Sequence, residues 1–246
     1  MSSPIDVTLD SSGGLYVSDY FNHRVLYFAT GSTTASRVYG QSGDFATADN
    51  TGGISATSLF NPIGVTVDSS GGLYVSDRSN NRVLYFTTGS TTASRVYGQG
   101  GDFATGVANK GGIISATSLS SPSGVTLDSS GGLYVSDRSN NRVLYFTTGS
   151  TTASRVYGQS GFATGTLNKG GSRSATSLSS PYGVTLDSSG GLYVSDRSNN
   201  RVLYFATGST TASRVYGQGG DFATGTINKP GGIISDTSLS SPCHTR

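Results

Sequence analysis

Leu73-Tyr-Val-Ser-Asp77, followed by Arg78-Ser-Asn-Asn81 and Arg82-Val-Leu-Tyr-Phe86, is the stretch whose reading decides the fold. The same pentapeptide begins at Leu15, Leu133 and Leu192, so the sequence repeats in steps of 58, 60 and 59 residues. A period of that length marks a repeat architecture. A proline opens each unit at Pro4, Pro62, Pro122 and Pro181. The units therefore run over about 4–61, 62–121, 122–180 and 181–241.

Working outward, Gly64-Val-Thr-Val-Asp68 and a Ser-Ser-Gly-Gly turn precede Leu73, and Thr-Thr-Gly-Ser-Thr-Thr leads from Phe86 to Ala93-Ser-Arg-Val-Tyr97. Short runs rich in Val, Tyr and Thr between Gly, Ser and Asn clusters predict strands, four per unit and antiparallel. A Gly-rich return of more than twenty residues then leads to the next proline. Leu73–Val75 and Val83–Phe86 carry apolar residues at both parities, which predicts burial on both faces, whereas Ser94 and Arg95 make the outermost strand mixed. A lone four-stranded sheet cannot bury both faces, but sheets stacked radially can, so the pattern predicts an all-β propeller with four blades per chain.

The string Pro-x-Gly-Val-x-Val/Leu-Asp-x-x-Gly-x-Leu-Tyr-Val-x-Asp-x-x-Asn-x-Arg-Val resembles the NHL repeat in all four units. The resemblance implies blades whose first strand is innermost, in a family whose propellers usually have six blades. Two departures fall in the first unit. Asp6 stands where the others have Gly64, Gly124 and Gly183, and Tyr20-Phe-Asn-His23 replaces Arg-Ser-Asn-Asn.

Composition narrows the chemistry. Only 12% of residues are charged and the net charge is +2, so any electrostatic function must be local. Glu and Trp are absent, and the histidines are His23 and His244. With one cysteine, Cys243, the chain has neither a triad nor a zinc-ligand cluster, which predicts no catalytic residue, no metal site and no cofactor. Some proteins resembling the NHL type are metal-dependent lyases or hydrolases with central His and Glu ligands, types missing here. No segment resembles a signal peptide, no apolar run approaches the ~20 residues of a membrane span, and no compartment is indicated. Met1-Ser-Ser coincides with a unit boundary that Ser240-Ser-Pro242 repeats, which reads as a module or a piece of a longer array.

Each unit places an Asp and an Arg across the turn between its second and third strands: Asp19/Arg24, Asp77/Arg82, Asp137/Arg142 and Asp196/Arg201. Fourfold repetition reads as a blade-stabilising ion pair. Asp68-Ser-Ser-Gly-Gly offers one carboxylate, which suits a turn better than a cation site. Strand alternation brings the second-to-third turns and the long returns to one side. Arg78, Arg138 and Arg197 gather there with Lys110, Lys169 and Lys229, beside Phe103, Phe162 and Phe222. The residue after each boundary proline varies, as Ile5, Ile63, Ser123 and Tyr182, and is a candidate contact at the mouth of the central channel.

These features predict a non-catalytic interaction scaffold that binds through its loop-rich side. The alternatives are a polyanion or RNA binder using the Arg/Lys ring, and a metal-dependent lyase or hydrolase. Expected partners are a peptide, protein or polyanion, and a second copy of the chain in an eight-bladed homodimeric ring.

Overall fold

A computed structural model of the chain describes residues 1–48, 53–227 and 238–243. The first blade comprises β1 (Pro4–Leu9), β2 (Leu15–Asp19), β3 (Arg24–Phe28) and β4 (Arg37–Tyr39). The second comprises β5 (Pro62–Val67), β6 (Leu73–Asp77), β7 (Arg82–Phe86) and β8 (Arg95–Tyr97). The third comprises β9 (Pro122–Leu127), β10 (Leu133–Asp137), β11 (Arg142–Phe146) and β12 (Arg155–Tyr157). The fourth comprises β13 (Pro181–Leu186), β14 (Leu192–Asp196), β15 (Arg201–Phe205) and β16 (Arg214–Tyr216). Each set forms one sheet in chain order, giving the four antiparallel blades of an all-β propeller. Among the described residues no helix is long and apolar enough to cross a membrane.

The strands depart from expectation at two ends. β5 starts at Pro62, two residues early, with an irregularity between Pro62 and Val65 that accommodates the missing proline N–H. β8 starts at Arg95 rather than Ala93, because Ser94 N donates to Tyr85 O as the linker arrives.

Turn chemistry sets the hairpins. The Asp68 Oδ1 accepts from Ser70 N at 2.9 Å, Ser70 Oγ at 2.6 Å and Gly72 N at 2.8 Å, so the carboxylate is consumed by its own turn. Gly72 has no room for a side chain, since a Cβ there would lie 2.5 Å from Tyr85 Oη and 2.7 Å from Asp68 Oδ2. Gly72→Ala should therefore destabilise the second blade by about 1–3 kcal/mol. Its denaturation midpoint tests this; a parent-like midpoint would mean Tyr85 moves aside freely.

The register gives each blade two unlike faces. Tyr74 lies opposite Tyr85, and Tyr85 opposite Arg95, placing Tyr74, Tyr85, Arg95 and Tyr97 on one face. Leu73, Val75, Leu84, Phe86 and Val96 share the other. The chain divides into two compact units, Met1–Ile113 with Thr117–Leu127, and Ile114–Ala116 with Asp128–Arg246. In the first, the tyrosine face of the first blade (Tyr16, Val25, Tyr39) packs on the aliphatic face of the second (Leu73, Val75, Leu84, Phe86). In the second, Tyr134, Val143 and Tyr157 pack on Leu192, Val194, Leu203 and Phe205. Val75, Val83 and Leu84 are all fully buried, which is why both parities of the inner strands are apolar.

Asp6 replaces glycine for a local reason. A Cβ on Gly64 would strike the Ser123 carbonyl oxygen of β9, so β5 and β9 approach backbone to backbone. Between β1 and β5 the buried Asp6 carboxylate fills that space and accepts from Val65 N at 3.0 Å.

Candidate functional site

The loop-bearing end of the blades is built on the buried ion pairs. In the second blade, Asp77 Oδ1 accepts from Phe60 N at 2.6 Å, while Oδ2 accepts from Asn80 Nδ2 at 2.9 Å and Arg82 Nε at 2.7 Å. Arg82 Nη1 donates to Phe103 O at 2.7 Å, and Nη2 donates to Ser55 O and Ser58 O, both at 2.9 Å. One guanidinium thus ties the return entering the blade to the return leaving it, using Arg's fixed fork of donors. Burial pushes the Asp77 carboxyl up, against the pull of the Arg82 charge.

The other blades repeat this geometry. Arg201 Nε lies 2.7 Å from Asp196 Oδ2, its Nη1 donates to Phe222 O, and its Nη2 donates to Ser174 O at 3.0 Å and Ser177 O at 2.9 Å. Arg142 Nε lies 2.7 Å from Asp137, with Phe162 O and Ser115 O as further acceptors. Arg24 Nε reaches Asp19 at 2.9 Å and Nη1 reaches Phe45 O at 2.6 Å, with 13% of its side chain exposed.

A second set of pins comes from asparagines at positive φ. Asn81 (φ 53°) donates to Gly106 O and accepts from Ser121 N, both at 2.8 Å. Asn200 does the same for Gly225 O and Ser241 N. His23 holds the equivalent position in the first blade at φ 54°, where Nδ1 accepts from Asn61 N at 3.2 Å. The sequence departure preserves the acceptor. Gln99 Nε2 adds bonds to Asn81 O and Val107 O.

Above this floor the candidate residues separate. Lys110 and Lys169 are exposed, whereas Arg78, Arg138 and Arg197 are half-buried. Arg78 Nη1 donates to Tyr20 Oη at 3.1 Å. The Arg138 and Arg197 guanidiniums lie 5.9 Å and 5.6 Å from the ring centre of Tyr182, which sits between them. Ile63 and Ser123 are fully buried and present nothing to a ligand, so of these varied positions in the second to fourth blades only Tyr182 keeps surface. Phe103 and Phe222 pack their rings against the blade cores, and the carbonyls of Phe103, Phe162 and Phe222 serve the buried arginines. Lys229 and His244 lie outside the described residues.

Composition did not point to the aliphatic tips of the returns. Val107, Ile113, Leu167 and Ile227 are 59%, 75%, 56% and 58% exposed, flanking the Asn-Lys pairs. Their signal in the sequence is an apolar residue at a glycine-rich loop tip, where turn chemistry asks for none. Strand parity conceals a second feature, the Arg/Tyr tier at the opposite end. Arg37 lies over Tyr27 at 5.1 Å, beside a groove of about 300 Å³ lined by Asp10, Ser12, Tyr16, Ser70 and Thr88. Among the described residues no three His, Cys, Asp or Glu side chains come together.

Four antiparallel blades, each stapled by a buried Asp–Arg pair beneath long returns, define a β-propeller of the repeat-built class. The NHL repeat model matches residues 1–28, 61–86, 119–146 and 178–205, and the chain belongs to the NHL-repeat family. No curated protein matches it. Among solved structures it is similar to catalytically inactive virginiamycin B lyase from Staphylococcus aureus in a structure with quinupristin, at 15% identity and TM-score 0.54, covering 84% of this chain and 53% of that one. Hydrazine synthase of Kuenenia stuttgartiensis aligns at 15% identity and TM-score 0.58, covering 87% and 49%. A nidogen/laminin complex aligns at 19% identity and TM-score 0.56, covering 87% and 63%. The chain thus spans about half the length of the lyase and the synthase. At these identities the likeness is one of fold, shared by enzymes and binding proteins alike.

Proposed function

We propose that the chain is a non-catalytic recognition module that binds a protein or peptide partner through its long returns. The observation that carries this reading is the set of exposed aliphatic tips, Val107, Ile113, Leu167 and Ile227, on loops pinned from below by Arg82, Arg201, Asn81 and Asn200. Exposed apolar side chains on a backbone that loses little freedom on binding suit an apolar partner surface. Lys110 and Lys169 beside them favour a partner with acidic residues around its apolar contact. The non-catalytic part of the proposal is supported by the ion pairs, whose polar atoms are spent on backbone groups in every blade.

Selection from a displayed peptide library on the immobilised chain tests this. Enriched peptides should carry apolar and acidic residues, and Val107→Ser/Leu167→Ser/Ile227→Ser should weaken them about tenfold or more while leaving the melting temperature within a few degrees. Peptides whose affinity survives that variant would overturn the reading. Among the described residues the polyanion alternative is carried by the exposed Lys110 and Lys169, since Arg78 is engaged by the Tyr20 hydroxyl and Arg138 and Arg197 by the Tyr182 ring. Steeply salt-dependent binding of heparin or poly(U), lost in Lys110→Ala/Lys169→Ala, would favour it.

A further inference from the structure

The groove between the hairpin turns of the first two blades lies at the end opposite the long returns, wholly within the first compact unit. Its volume of about 300 Å³ is that of a small-molecule site. Asp10 and Arg37 are the charged residues of its lining, so its formal charges cancel. Asp10 is held by its own turn, its Oδ1 accepting from Ser12 N at 2.9 Å, Ser12 Oγ at 2.6 Å and Gly14 N at 2.8 Å. Arg37 is held as well: its guanidinium lies 5.1 Å from the ring centre of Tyr27, and Nη1 donates to Tyr39 Oη at 3.2 Å. Among the described residues its Nε and Nη2 have no acceptor. The first blade contributes the exposed Ser11 and the second the exposed Ser69, while Tyr16 and Tyr27 supply the apolar part of the lining. On the second wall, Thr88 Oγ1 donates to Ser70 O at 2.5 Å and fixes the turn.

We propose that this groove binds a neutral mono- or disaccharide. An anion entering it meets Asp10 and a cation meets Arg37, whereas an uncharged ligand meets no like charge. Neighbouring sugar hydroxyls each donate and accept, which matches a guanidinium edge with two donor nitrogens to spare and serine hydroxyls that do both. The C–H face of a pyranose suits the tyrosine part of the lining. Arg37 and both turns are held before any ligand arrives, so little order has to be imposed on binding. The second compact unit repeats the parts where the third and fourth blades pack. There Arg155 lies over Tyr145 at 5.3 Å and donates to Tyr157 Oη at 3.3 Å, Asp128 holds the same turn bonds, and Thr207 Oγ1 donates to Ser189 O at 2.8 Å.

Protection of arginine from phenylglyoxal, read residue by residue by peptide mass spectrometry on the whole chain, tests this. The probes are cellobiose, maltose, lactose and mannobiose, with inorganic phosphate in parallel. At least one disaccharide, present well above its dissociation constant, should slow modification of Arg37 about fivefold or more. It should slow Arg155 likewise and leave Arg78, at the loop-bearing end, unchanged. Ser69→Trp fills the groove from an exposed turn position, so the melting temperature should stay within a few degrees. In that variant the disaccharide should no longer change the rate at Arg37, yet should still protect Arg155. Failure of every disaccharide to protect Arg37, protection that persists in Ser69→Trp, or protection by phosphate alone would overturn the proposal. Peptide binding at the loop tips is measured separately, so either reading can fail without the other.

Discussion

Replacing Asp77 by alanine should cost about 3–5 kcal/mol, a large part of the roughly 5–15 kcal/mol that holds an ordinary domain together. The carboxylate and its partner Arg82 are both fully buried, so the substitution leaves a guanidinium in a dry site with its charge unanswered. An isolated buried pair is often replaceable by apolar residues at little cost. Here that rescue should fail. In the double variant Asp77→Ala/Arg82→Met, the partly buried carbonyls of Phe103, Ser55 and Ser58 lose their donor, and an acceptor left unmade costs about 1–3 kcal/mol where water cannot replace the donor. Urea midpoints for both variants, with hydrogen exchange across the return that follows β8, are the measurement. A double variant as stable as the parent would mean that Arg82 answers one carboxylate and clamps no loop.

The blades were legible because their signals are local and repeated. The Asp-Ser-Ser-Gly-Gly turn, the Asn-bearing turn between the second and third strands and the apolar residues at both parities each state a backbone requirement that a sequence can carry. Asp and Arg facing each other across a tight turn were legible for the same reason. The candidate surface was less so. Arg78, Arg138 and Arg197 read as a solvent-facing ring, yet they are half-buried: Tyr20 reaches Arg78 and Tyr182 reaches Arg138 from the neighbouring blade, and Arg197 lies near Tyr182 of its own blade. Contacts between repeats depend on which residue the next blade brings, and a period of about 60 residues does not encode that. Ile63 and Ser123 were misplaced for a related reason: β5 and β9 pack backbone to backbone at Gly64, closing the space in front of them. The Arg/Tyr tier was hidden because Tyr74, Tyr85, Arg95 and Tyr97 come together only when three strands are set in register.

That tier makes the fold sensitive to alkali. Burial, with the neighbouring tyrosines and the hairpin aspartates Asp10, Asp68 and Asp128, holds the hydroxyls of Tyr16, Tyr74 and Tyr134 well above the ordinary tyrosine range. Burial and Asp68 or Asp128 push Tyr85 and Tyr145 the same way. The folded chain therefore keeps protons that the unfolded chain releases from about pH 10 upward. Stability from these groups is complete below about pH 10 and is lost as pH rises toward the folded-state values. Each tyrosine steepens the loss by at most about 1.4 kcal/mol per pH unit, less where solvent reaches the hydroxyl, and the five act in the same direction. Denaturant unfolding followed from about pH 9 to pH 12 should therefore show a steep fall beginning near pH 10. Tyr74→Phe removes one such proton at nearly constant volume and should flatten the curve by one group's share. Stability that stays level to about pH 11.5 would show that the tier takes up charge without resisting it.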